Sequence, residues 1–148
     1  MNECKYQKEV EAIIVKGDAK ILVETAQQIA VDMNPKNKWG KVTESASVST
    51  SQIRNIYGTS KKIEMAVDEK NSLQMYNRLL LLKPKMAYAN GRFNKKVGAN
   101  KYKIPGFKVL IDCLSYAIDK VDGDFARMQH FFNFFEAILA YHRAEGGR

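Results

Sequence analysis

The stretch DFARMQHFFNFFEAILAYHR, residues 124–143, decides the fold. Two apolar series run through it: Phe125, Met128, Phe132, Phe135 and Leu139, and beside them Phe131, Phe134, Ile138 and Tyr141. Steps of three and four place each series on one stripe of a helix. Four Phe within five residues make this helix apolar over more than one face. Such a helix is stable only when other helices or a partner surround it. Asp124 is placed to cap its start and Gly146-Gly147 to stop it. The cluster reads as core, so it sets the architecture and leaves the function open. Its apolar surface exceeds one buried stripe, so part of it is also expected to meet a neighbouring copy.

The rest of the chain supplies the helices that surround it. A chain of 148 residues is expected to be a single domain, 1–148, and at that size it buries about two-thirds of its unfolded surface. The spacing predicts a short helix over 5–16, with Val10, Ile13 and Ile14 inward, ended by Gly17-Asp18. It predicts a second over 19–33, carried by Ile21, Leu22, Thr25, Ile29 and Met33, with Pro35 marking the exit. Ser49 as N-cap and Gln52 three residues on form a capping box for the third helix. Its stripe is Ile53, Ile56, Tyr57, Ile63 and Val67, and it runs on to about Asp68-Glu69-Lys70. A fourth covers 72–90, with Leu73, Tyr76, Leu80 and Ala87 on one side and Leu79, Leu82 and Met86 widening it. Pro84 should kink or split it, and Asn90-Gly91 should end it. Pro105 opens a fifth helix at its favoured first position. Phe107, Leu110, Ile111, Leu114, Ile118 and Val121 carry that helix to Asp122-Gly123. Strand alternation and internal repeats are absent. The expectation is an all-α bundle of about five to six helices.

Two loops and a tail punctuate it. Residues 34–49 lack periodicity and are longer than most connections in a compact domain. Trp39 sits there among Lys36, Lys38 and Lys41. The favoured reading folds it back onto the core; the alternative is that a nucleic-acid base stacks on it. Residues 92–104 read as a basic loop, and 143–148 as a tail.

Charge is the strongest clue to function. The net charge is +8. Between residues 70 and 111 there is no Asp or Glu and there are ten basic residues, while the remainder carries 14 basic against 16 acidic. Excess positive charge confined to one segment invites a polyanion; the bland alternative is a solvated face. Catalytic signatures are missing. There is no phosphate-binding GxxxxGK[ST], no GxGxxG after a strand, and His130 and His142 are too far apart for HExxH. A metal site would need Cys4, Cys113 and both His to converge, so no metal, cofactor or enzymatic activity is expected. Glu136 within the Phe run should be buried and paired, with Arg54 as one candidate partner. His142 is accounted for by the dipole at its helix end, and Asp112 and Asp119 look solvated. No run of eighteen apolar residues could span a membrane. The charged opening, MNECKYQKEVE, lacks the apolar core of a secretory signal, and the cysteines form no CxxC, so a reduced, cytoplasmic protein is expected.

Four blocks carry a resemblance: KGDAKILVETAQQIA at 16–30, TSQIRNIYG at 50–58, LLKPKMAYANGR at 81–92 and FFNFFEAILAYHR at 131–143. Together, and in this order, they resemble the small subunit of type III-A CRISPR–Cas effector complexes, the Csm small-subunit family. The resemblance runs from about residue 16 to the end. It implies a non-catalytic helical bundle whose copies stack as a filament beside the backbone subunits, along the guide RNA and the single-stranded target RNA paired to it. Onto the matching positions it carries RNA contacts by Arg54, Lys85 and Arg92. Arg78 and Lys83 precede them on the same helix, and Lys61, Lys62, Lys95 and Lys96 are further candidates. The Trp39 loop and the loop after Arg92 match no family role. Arg92 could instead cap the helix ending at Gly91, and Lys95, Lys96, Lys101 and Lys103 could be a solvated loop. If the chain did not turn at Asn90-Gly91, a helix-swapped dimer would become possible. Two other readings stay open: a stand-alone helical RNA-binding protein, and a helical adaptor for a protein partner.

Overall fold

The computed structural model describes residues 4–147. Among these residues there are seven α-helices and one small hairpin. In chain order they are α1 (Gln7–Lys16), α2 (Ala19–Met33), α3 (Thr50–Ala66), α4 (Ser72–Leu80), α5 (Leu82–Phe93), β1 (Lys96–Gly98), β2 (Lys101–Tyr102), α6 (Pro105–Val121) and α7 (Phe125–Ala144). α4 and α5 are two parts of one rod, broken at Leu81. The chain is therefore an all-α bundle of six rods, as the periodicity implies.

Local signals set most boundaries. α1 ends at Gly17, whose φ of 67° is left-handed. A Cβ there would also come within 2.7 Å of the His130 ring, so only glycine fits. Asp18 then accepts from the Ile21 N–H at 3.0 Å and caps α2. The capping box at Ser49 forms, with the Gln52 side chain accepting the Ser49 N–H at 2.9 Å. Asp124 caps α7 through the Arg127 N–H at 2.9 Å. Gly106, in the first turn of α6, lies against the end of α2: a Cβ there would meet the Asp32 carbonyl oxygen at 2.2 Å.

α7 is the centre of the core. It packs on α1, α2, α3 and α6. Phe131 and Phe134 are 0% exposed, Phe135 1% and Phe132 2%. Tyr57 of α3 meets Phe135 edge to face at 5.3 Å, and Phe131 lies 5.8 Å from Phe132 and 6.2 Å from Phe135. One chain encloses all four rings, while Phe125, Leu139 and Tyr141 of the same helix are only half-buried. Cys4 and Cys113 are both buried, with their Sγ atoms 2.9 Å apart. The contact with Cys4, then burial, push the Cys113 thiol well above its ordinary value.

Several expectations need correction. α5 does not stop at Asn90-Gly91; it runs on to Phe93. A glycine ends a helix when the chain takes a left-handed turn there, and Gly91 keeps helical backbone. The stop is Asn94, 3% exposed. Its Nδ2 donates to Asn90 Oδ1 at 2.9 Å while its Oδ1 accepts the Ile104 N–H at 2.7 Å. This ties the helix end to the chain entering α6. The segment read as a basic loop holds the β1–β2 hairpin, turned at Asn100 with φ 57°. Its strands are too short for alternation to show in the sequence. The inner face of α4–α5 is Met75, Leu79, Leu82, Met86 and Ala89, while Leu73 and Ala87 are exposed. These five step by four and three straight through Leu81, while Tyr76 and Leu80 only flank the core, so two neighbouring stripes both fit a helix and packing chooses between them. α3 ends at Ala66, where Asn71 Nδ2 bonds the Ala66 carbonyl at 2.9 Å.

Candidate nucleic-acid interface

α3 lies between α5 and α7 and packs against both. Its inner face buries Ile53, Ile56, Ser60 and Ile63. At helical spacing that leaves Arg54, Asn55 and Lys62 outside, and all three are exposed. With Ser51, Gly58 and Thr59 they line an open groove of about 370 Å³. Lys85 of α5 reaches across and donates from Nζ to Thr59 Oγ1 at 3.3 Å. Beyond it on α5 stand Tyr88, 70% exposed, and Arg92, also exposed. Residues 85, 88 and 92 are spaced at three and four, so cation, aromatic and cation share one outer stripe. The Arg92 guanidinium lies 5.3 Å from the Phe93 ring, which steadies it without neutralising it.

On the other side of Arg54 a second groove, of about 390 Å³, runs between α3 and α7. Tyr57 and Leu139 are among its lining, and Arg143 joins Arg54 there. Arg54 thus stands on the ridge between two grooves, with Lys62 on one side and Arg143 on the other. Such an arrangement offers an extended polyanion several cations at one surface.

The structure brings some candidate cations together and sets others apart. Arg54, Lys62 and Lys85 converge, and Arg92 extends their line. Lys61 turns to Glu64 at 3.2 Å, and that hydrogen bond raises its pKa. Lys83 pairs with Asp119 of α6 at 2.6 Å, away from the α3 groove. Lys108 pairs with Asp112 at 2.7 Å, so neither aspartate is merely solvated. Arg78 is exposed on α4, and Lys95 and Lys96 are exposed at the hairpin, outside the groove lining. Arg92 lies within α5 and does not cap it. Glu136 is exposed, not buried, so it needs no Arg54 to neutralise it. Arg143 and Tyr88 carry no signal in the sequence that marks them for this surface. Arg143 reads there as an ordinary basic residue at a helix end, and Tyr88 as one more helical aromatic.

The two histidines are structural. His130 Nδ1 lies 2.8 Å from the Ile14 carbonyl. His142 is 2% exposed, with Nε2 2.7 Å from the Val48 carbonyl. Burial first, and then the nearby Arg143, hold its pKa below the ordinary value. The ring is therefore a neutral interior donor, not a cation at a helix end. Among the described residues, no group of three His, Cys, Asp and Glu side chains could hold a metal ion, and no helix is long and apolar enough to cross a membrane.

A family model described as Csm2 Type III-A matches residues 18–148. No curated protein and no solved structure matches the chain.

Proposed function

This chain belongs to the Csm2 Type III-A family, the small subunits of type III-A Csm complexes, and we propose that it is a non-catalytic subunit whose copies stack as a filament along the guide–target RNA duplex and hold the RNA backbone. Other subunits of the complex are its partners, and cytoplasmic RNA is its ligand. The observation that carries this reading is the exposed basic surface of α3 and α5, with Arg54, Lys62 and Lys85 around one groove. In such a complex, guide–target pairing supplies the sequence readout, so the protein need grip only phosphates and sugars. Arg and Lys suffice for that, and Arg54 adds the planar fork that fits a phosphate. Weak contacts from each copy add up once copies are arrayed on one RNA.

The test is affinity purification of the chain from its native host, with sequencing of the RNA and identification of the proteins retained. Short RNAs sharing one repeat-derived end, with backbone subunits in excess, are expected. Arg54→Ala and Lys85→Ala, introduced one at a time, should each reduce the RNA retained. Mixed cellular RNA without those subunits would overturn the reading in favour of a stand-alone RNA binder, and protein without RNA in favour of an adaptor.

A further inference from the structure

The loop between α2 and α3 holds the most exposed aromatic side chain outside this surface. Trp39 is 73% exposed, so the expectation that it folds onto the core is wrong. It is also the chain's single Trp. We propose that Trp39 is a stacking platform for one unpaired base of the bound RNA; this rests on the RNA-binding reading above.

The loop is built to present that ring. Lys36 and Val42 form an antiparallel bridge. Within it, the Asn37 N–H donates to the Lys41 carbonyl at 2.8 Å, and the Gly40 N–H to the Asn37 carbonyl at 3.0 Å. The Asn37 side-chain oxygen accepts both the Trp39 N–H at 2.9 Å and the Lys41 N–H at 3.1 Å. The tip is thus held by four hydrogen bonds through one residue, and the indole is positioned before any ligand arrives. Preorganisation of this kind removes ordering costs from binding.

The surroundings select the ligand. Lys36, Lys38 and Lys41 flank the ring in sequence and are exposed. Lys38 Nζ lies 4.6 Å from the ring centroid. Lysine is depleted at protein–protein contacts, whereas an aromatic face among cations is how proteins grip single-stranded nucleic acid, the base on the ring and the phosphates on the cations. The loop also sits beside the basic surface. Lys36 reaches Glu145 at 3.3 Å, just past α7, and Val42 lies against Gly146. Two residues before Glu145, Arg143 lines the α3–α7 groove with Arg54. The loop therefore stands near the end of α7 that lines the groove.

Because the chain has one Trp, its emission reports this site alone. The full chain is titrated at low salt with a mixed-sequence single-stranded RNA, while a labelled copy of the same RNA reports binding by anisotropy. Trp39 emission should be quenched in step with the anisotropy. Trp39→Ala should weaken binding about tenfold, the lower part of the range for loss of one stacked base. The slope of affinity against salt should stay unchanged, since no charge is removed. Trp39→Phe should recover most of the affinity. Rising anisotropy with unmoved emission, or wild-type affinity in Trp39→Ala, would overturn the stacking proposal and leave the RNA reading intact. Emission that follows protein concentration without RNA would assign the ring to a second copy and overturn it as well. No anisotropy change at low salt removes this proposal, while the RNA reading is judged by the purification from the native host.

Discussion

α7 and α5 both carry aromatic residues, and they spend them on opposite sides of the protein surface. α7 is wrapped by α1, α2, α3 and α6, and its four consecutive-turn Phe rings contact only this chain's own interior. α5 is covered by α3, α4 and α6 on one side only, and Lys85, Tyr88 and Arg92 remain outside. The difference separates two tasks. Folding energy is concentrated around α7, where burial of large side chains is complete. The proposed partner contact falls on the α3–α5 surface, where little of the folding energy resides. Substitutions in the two regions should therefore act on different quantities.

The strongest challenge to that division is Phe131→Ala. It should cost about 3–5 kcal/mol, the usual loss for a fully buried Phe and the cavity it leaves, measured by urea unfolding. A loss below about 1 kcal/mol would mean that α7 is not enclosed. Next is His142→Ala, which removes the ring beside the buried Val48 carbonyl and should cost about 1–3 kcal/mol. The same histidine predicts a pH dependence. Burial lowers its folded pKa below the ordinary 6.5. Its contribution is therefore complete above pH 6.5 and is lost as pH falls through the lowered folded value. A plot of Tm against pH should fall on this acid side, and His142→Gln should flatten that arm. A wild-type profile with stability lost on the alkaline side would contradict the neutral, buried ring.

The outer surface should respond weakly, and once in the opposite direction. Gly58 lies inside α3, and an added Cβ would meet nothing within 4 Å. Gly58→Ala should stabilise the free chain by about 0.5–1 kcal/mol, because alanine favours the helix; destabilisation would reveal a neighbour pressed against that groove. Smallest of all, Lys62→Ala should leave stability within about 0.5 kcal/mol. It should still lower the slope of log affinity against log salt for single-stranded RNA by about 0.7 if its amine meets one phosphate. An unchanged slope would take Lys62 out of the interface and narrow the contact to Arg54 and Lys85.

How far the site could be read in advance varied from residue to residue. Arg54 and Lys62 were legible because α3 is an unbroken helix with a clear stripe, so spacing alone placed them outside. Lys61 and Lys83 carry the same charge and the same segment bias, yet Glu64 and Asp119 capture them. Those partners lie one turn or one helix away, where composition does not reach. Arg143 joined the surface only because α7 delivers its end beside α3. Trp39 departs from its expected burial for a related reason: apolar character argues for burial, but the hydrogen bonds of Asn37 lock the loop in a shape that holds the ring in water.

The sequence by itself determined the helical class, the cap and start positions of α2, α3, α6 and α7, and the placing of the Phe cluster in the core. These depend on contacts within a few residues and on a hydrophobic period that admits one reading. Only the tertiary structure decided which side of α4–α5 is inward, that α5 passes through Asn90-Gly91, that His142 is neutral and buried, and which lysines stand beside an acidic side chain. Each of those depends on residues brought together from distant parts of the chain, and a local pattern carries no information about the distance between them.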